Sequence, residues 1–131
     1  MKVSGLEEIT QSVVEAVDNA SHGIMKIYNS DVVHVKNKND GSPVTEADKE
    51  SHSILVSALE FIDKNIPILS EEGYKQKDNI DLFWLIDPLD GTKEFINRNG
   101  EFTVNVALIE NGNPILGVVS APALKEKYVG Y

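Results

Sequence analysis

At 131 residues, with 41% hydrophobic and 25% charged side chains, the chain has the size and composition of one soluble domain able to bury a core. A net charge of −9 removes the basic footprint that nucleic-acid backbones and anionic membrane surfaces require, so neither nucleic acid nor membrane insertion is expected. The absence of cysteine excludes disulfides, thiolate metal sites and cysteine nucleophiles, and a start as polar as "MKVSGLEEITQSVVEAV" does not read as a signal peptide, which makes a cytoplasmic address the default expectation.

In chain order, Ile9, Val13, Ala16, Val17, Ala20 and Ile24 recur at helical spacing and predict an amphipathic first helix. A polar loop follows, with turn chemistry at Asn39-Asp40-Gly41 and Ser42-Pro43. A second helix is predicted from Thr45 to about Asp63, with Ile54, Leu55, Ala58, Leu59 and Ile62 as its apolar stripe. "IPILS" reads as a short strand, "EEGYKQKDN" as an acidic connection, and "LFWLI" as a strand apolar enough for burial on both faces. That strand is expected to end after Ile86, in a turn. The runs "FTVNVALIE" and "PILGVVSAP" flank Asn111-Gly112-Asn113, a hairpin signature, and "KEKYVGY" begins a further strand. Two helices followed by consecutive strands predict an α+β fold, with the helices packed on a largely antiparallel sheet.

The chemistry concentrates where the apolar strand stops, in "WLIDPLDGTKEF". Pro88 fixes φ between Asp87 and Asp90, and Gly91 permits a conformation or a close approach that a Cβ would block. Two carboxylates held on one side of a rigid corner repel unless a proton or a cation lies between them. Mg²⁺ suits such a pair, because it takes few carboxylates and leaves positions for water and phosphate. Alternatively, the two aspartates only cap a turn and the short helix after it. "GTKEF" can open a helical turn whose first N–H groups would meet an anion. Glu71-Glu72 in "LSEEGY" is either a solvated pair or part of the same site, and Thr45 and Asp48 in "SPVTEADKE" have the spacing of a capping box. "VKNKNDGSPVTE" fails as a calcium loop, since Lys36 and Lys38 fall on ligand positions. His22, His34 and His52 form no cluster and read as surface or helix-face residues.

Taken together, "SPVTEAD", "LSEEG" and "WLIDPLDGTKEF" resemble the ordered motifs of the inositol monophosphatase superfamily, the lithium-sensitive Mg²⁺-dependent phosphatases. The continuation "DGTKEFINRNGEFTVNVALIENGNPILGVVSAP" is similar to the bacterial 3′(2′),5′-bisphosphate nucleotidase branch, and the resemblance runs from about Val44 to Pro122. It implies the first half of a layered αβαβα fold. It implies that Glu71, Asp87 and the carbonyl of Leu89 hold a first Mg²⁺, and that Asp87 and Asp90 contribute to a second. It also implies that Thr92, bonded to Asp48 and helped by Glu71, positions and deprotonates a water. Asp90 and the backbone at Gly91 and Thr92 would adjoin the substrate phosphate. The implied reaction is hydrolysis of the small phosphate ester 3′-phosphoadenosine 5′-phosphate to AMP and phosphate, a clearing step of sulfate assimilation.

The family's second half, with its W-D-x-A-type motif, has no counterpart in the sequence, because no aspartate directly follows Trp84. The chain is therefore expected to be an N-terminal metal-binding α+β domain. An exposed sheet face should then draw it into a homodimer or larger species. Two functional classes stand at this point: a phosphatase or its metal-binding half, with inositol 1-phosphate as the competing substrate, and a non-catalytic module that binds Mg²⁺ or a partner.

Overall fold

Helical periodicity on the N-terminal side and period-two alternation on the C-terminal side meet in one core. A computed structural model describes residues 5–30, 43–70 and 80–131. Helices α1 (Leu6–Tyr28) and α2 (Pro43–Ile62) precede strands β1 (Ile68–Ser70) and β2 (Leu82–Asp90). A short helix α3 (Thr92–Asn97), strands β3 (Thr103–Glu110) and β4 (Asn113–Ala121), a 3₁₀ turn at Pro122–Leu124 and strand β5 (Glu126–Gly130) complete the chain. The sheet runs in sequence order, β1-β2-β3-β4-β5; only β1 pairs with its neighbour in parallel. The α+β arrangement with a largely antiparallel sheet is the one expected.

Both long helices cover one face. Val13, Val17, Ala20 and Ile24 of α1 and Leu55 and Leu59 of α2 pack against Trp84, Ile86, Val106, Leu108, Leu116 and Val118. Trp84 is fully buried there, as are Phe95 and Phe102 apart from traces, and each such side chain contributes roughly 1.5–3 kcal/mol of burial free energy. The apolar stripe of β2 is less symmetric than its composition suggests. Phe83 is buried on the opposite face, whereas Leu82 and Leu85 stay partly exposed. The hairpin expected at Asn111-Gly112 is present. Both residues have positive φ, 51° and 84°, which is the two-residue turn whose twist matches the strands it joins.

Two local expectations are corrected. The second helix starts at Pro43 rather than Thr45, and proline suits a first helical position because its missing N–H would have no partner there. Thr45 therefore stands inside the first turn rather than at the N-cap. The strand carrying the two aspartates does not end after Ile86. It continues to Asp90 through an irregularity in its register. The loop turns at residues 39–42, together with His34 and the Glu71-Glu72 pair, lie outside the described residues.

β5 is one edge of the sheet and is exposed along its whole length. Lys127 ties it to α1 through a 2.9 Å ion pair with Asp18. Tyr128, Val129 and Tyr131 leave apolar surface uncovered at this side of the molecule.

Candidate metal and phosphate site

The site is built on the far end of β2. From Leu82 to Asp87 the strand pairs with β3 residue for residue, Leu82 opposite Glu110 and Asp87 opposite Asn105. Asp90 then lies opposite Thr103, so β2 takes three steps where β3 takes two. The extra residue falls in Pro88-Leu89. Proline offers no N–H to a ladder and is tolerated in a sheet at such a bulge, and bulges bend a strand and re-aim its side chains. The Pro88 carbonyl, inside this irregular stretch, accepts a 2.8 Å hydrogen bond from the buried hydroxyl of Ser51 on α2.

Gly91 turns the chain out of the strand. Its φ of 94° lies in the left-handed region, and a Cβ there would come within 3.2 Å of the Phe102 Cα and 3.3 Å of the Glu101 carbonyl. Both neighbours are backbone, so the crossing needs glycine. Gly91 is also the residue from which α3 begins, with no side chain capping that end. The other end of α3 is anchored. The rings of Tyr28, Phe95 and Phe102 sit 4.9–5.2 Å apart between centroids, a geometry that contributes about 0.5–1.5 kcal/mol per pair beyond burial. Arg98, itself at φ 59°, stacks 4.4 Å over the Tyr28 ring and donates from a guanidinium nitrogen to the Tyr28 carbonyl at 2.8 Å. N–H groups of Arg98 and Asn99 close the helix on the carbonyls of Phe95 and Glu94, the double closure of a Schellman ending.

Between α2, the end of β1 and the bulge opens a cavity of about 340 Å³. Asp48, Asp87, Leu89 and Thr92, drawn from three elements, line it together. Asp48 and Thr92 are exposed toward solvent, Asp87 is half-buried and Leu89 is buried. Asp90 and Gly91 flank the cavity without lining it, Asp90 exposed and Gly91 half-buried. Glu71 lies outside the described residues. Lys49, His52 and Ser70 also line the cavity, and none of the three stands among the sequence-based candidates. His52 is exposed, as a helix-face residue should be. Its position four residues after Asp48 puts it on the same helical face, which is the signal that could have placed it here.

Oxygen-bearing residues stand prominently in the lining: the acidic Asp48 and Asp87, the hydroxyl-bearing Thr92, and Leu89 with its backbone carbonyl. Among the described residues no three His, Cys, Asp or Glu side chains gather as a metal cage. An oxygen-seeking cation of the Mg²⁺ type fits that arrangement, since it binds through one or two carboxylates and keeps positions for water and phosphate. A soft or thiolate-seeking ion does not.

The pattern of the Inositol monophosphatase family matches residues 5–131. The chain is 47% identical over 122 residues to the 3′(2′),5′-bisphosphate nucleotidase CysQ of Salmonella typhimurium, covering 90% of this chain and 50% of that protein. Against the protein of the same name from Escherichia coli K12, identity is 47% over 120 residues, covering 88% and 49%. The crystal structure of CysQ from Bacteroides thetaiotaomicron, described as a bacterial member of the inositol monophosphatase family, superposes with a TM-score of 0.82 at 40% identity, over 94% of this chain and 45% of that one. An inositol monophosphatase from Zymomonas mobilis superposes with a TM-score of 0.80 at 29% identity, over 98% and 49%. The chain thus spans about half the length of the curated relatives it matches. With its carboxylate-bearing bulge, its glycine crossing and this agreement across its whole described length, the chain belongs to the inositol monophosphatase family.

Proposed function

We propose that the chain is the N-terminal, metal-binding α+β domain of a Mg²⁺-dependent phosphatase of the 3′(2′),5′-bisphosphate nucleotidase type. Its substrate would be 3′-phosphoadenosine 5′-phosphate, hydrolysed to AMP and phosphate in the cytoplasm as a clearing step of sulfate assimilation. One observation carries the reading: Asp48, Asp87, Leu89 and Thr92 come from three elements to one cavity. The relatives named as bisphosphate nucleotidases support the substrate class.

In this reading Asp87 and the Leu89 carbonyl, with Glu71, hold the first cation, and Asp87 with Asp90 contributes to a second. The cation, when bound, supplies Lewis-acid stabilisation of the phosphoryl oxygens. Thr92, hydrogen-bonded to Asp48, orients the attacking water through its hydroxyl and, together with Glu71, helps to deprotonate it. The backbone N–H groups of Gly91 and Thr92 receive phosphate oxygens at the start of α3. The water oxygen bonds to phosphorus as the bond to the ribose oxygen breaks; that oxygen takes a proton from solvent to leave as a hydroxyl, and the proton lost by the attacking water returns to solvent. No covalent enzyme intermediate is needed, because positioning of water and phosphate supplies much of the rate. The exposed apolar side chains at the β5 edge further support self-association into a homodimer or larger species.

The test is phosphate release from 3′-phosphoadenosine 5′-phosphate with Mg²⁺ and after chelation, with inositol 1-phosphate as the comparison substrate. Release that needs Mg²⁺ and favours the bisphosphate supports the reading. Preference for inositol 1-phosphate overturns the substrate, and release unaffected by chelation overturns the metal dependence. Calorimetric Mg²⁺ binding without any turnover leaves a metal-binding module in place of an enzyme.

A further inference from the structure

Ser51 is an unusual residue to find fully buried in the middle of a helix. Serine hydroxyls inside helices commonly turn back to the carbonyl four residues earlier or reach solvent. Here the hydroxyl leaves its own helix and donates at 2.8 Å to Pro88, inside the bulge between Asp87 and Asp90. Ser51 stands three residues after Asp48 on α2, within one helical turn of it. A buried hydrogen bond therefore joins the helix bearing Asp48 to the strand segment bearing Asp87 and Leu89.

We propose that Ser51 is a positioning residue for the cation site, holding the Pro88 peptide so that Asp87 and the Leu89 carbonyl stay aimed at one ion. The inference rests on the reading of Asp87 and Leu89 as cation ligands. Its physical basis is the irregularity itself. A regular strand orients each peptide through its ladder, but the bulge interrupts the ladder and proline supplies no N–H. The bulge must take its orientation from elsewhere. Because a peptide unit is planar, fixing the Pro88 oxygen also fixes the Leu89 nitrogen and limits the rotations open to the Leu89 carbonyl. The same bond sets the spacing between Asp87 on the strand and Asp48 on the helix. Groups that orient ligands from behind in this way typically alter metal affinity by about 10–100-fold when removed.

A bond that merely satisfied a buried carbonyl would affect stability alone, and the two roles separate in the following experiment. The 131-residue chain is titrated with Mg²⁺ by calorimetry. Bound Tb³⁺ serves as an oxygen-seeking probe whose luminescence lifetimes in H₂O and D₂O count the waters on the ion. Ser51→Ala should weaken Mg²⁺ binding by about tenfold or more and admit about one extra water to Tb³⁺, in place of the Leu89 carbonyl. Ser51→Cys keeps the side-chain shape, with a somewhat larger atom and a far weaker donor, so it should show the same changes and decides the matter if the alanine variant does not fold. Asp87→Asn is the control for the underlying reading. If it binds Mg²⁺ as the unaltered chain does, the ligand assignment falls and this inference with it. If Asp87→Asn loses binding while both Ser51 variants keep affinity and ion hydration and only melt earlier, the positioning role alone is overturned.

Discussion

The two halves of β2 obey different rules. From Leu82 to Asp87 the strand is in register with β3, and Trp84 and Ile86 sit under the helices. From Asp87 to Asp90 the register slips, a proline replaces a ladder donor, and the side chains turn from apolar to carboxylate. The regular half is held by burial and by paired backbone, and that stability lets the second half be irregular. The irregular half is supported from outside by the Ser51 hydroxyl, the glycine crossing at Gly91 and the aromatic anchor of α3 on Tyr28. The geometry of the carboxylate-bearing half is thus fixed in part by neighbouring elements.

The comparison is broken most severely from the regular side. Trp84→Ala empties a fully buried position and should cost about 3–5 kcal/mol of unfolding free energy, measured by denaturant titration. The indole N–H of Trp84 has no hydrogen-bond partner among the described residues, so Trp84→Phe should cost much less than its lost volume suggests. A mild effect of Trp84→Ala would show that the regular half does not support the site.

Next comes the carboxylate. In Mg²⁺ at roughly a hundred times its dissociation constant, the unaltered chain should gain about 2.7 kcal/mol of stability. Asp87→Asn should gain almost none, while in chelator the two should melt within a degree or so of each other, because the substitution removes charge repulsion as well as a ligand. Equal Mg²⁺-induced shifts in both proteins would return Asp87 to the role of a turn residue.

Gly91→Ala probes the crossing between the halves. Positive φ and backbone contacts at 3.2–3.3 Å should together cost about 1–3 kcal/mol. Because α3 would have to shift, the Phe95 ring environment should change in near-ultraviolet dichroism or in aromatic NMR shifts. Unchanged spectra with full stability would mean that the crossing is looser than its geometry indicates.

The smallest effect belongs at the opposite edge of the sheet. Lys127 and Asp18 are both substantially exposed, so Lys127→Ala should cost less than about 0.5 kcal/mol and less still in high salt. It should also leave the Mg²⁺ response intact. A large loss would mean that β5, though exposed, supports the fold as strongly as the core strands do.

Much of this molecule follows from local rules that one sequence suffices to state. The apolar spacing of Val13, Ala16, Val17, Ala20 and Ile24 names the buried face of α1, because a helix repeats every 3.6 residues wherever it sits. Asn111-Gly112 names the hairpin, because few residues tolerate two successive positive φ angles. Asp87, Asp90 and Gly91 stand out for the same reason, as residue types with narrow conformational or electrostatic uses. Other features depend on what a residue faces across space. That β2 runs on through Pro88 is decided by register against β3. That Thr45 is not a cap is decided by where α2 begins. That Ser51 reaches Pro88, and that His52 shares a cavity with Asp87, is decided by how a helix lies on a strand more than thirty residues away in the chain. Residue order carries no rule for such meetings, since many chain arrangements would satisfy the same local preferences. Only the packed core, with room for one placement of α2 on the sheet, selects among them.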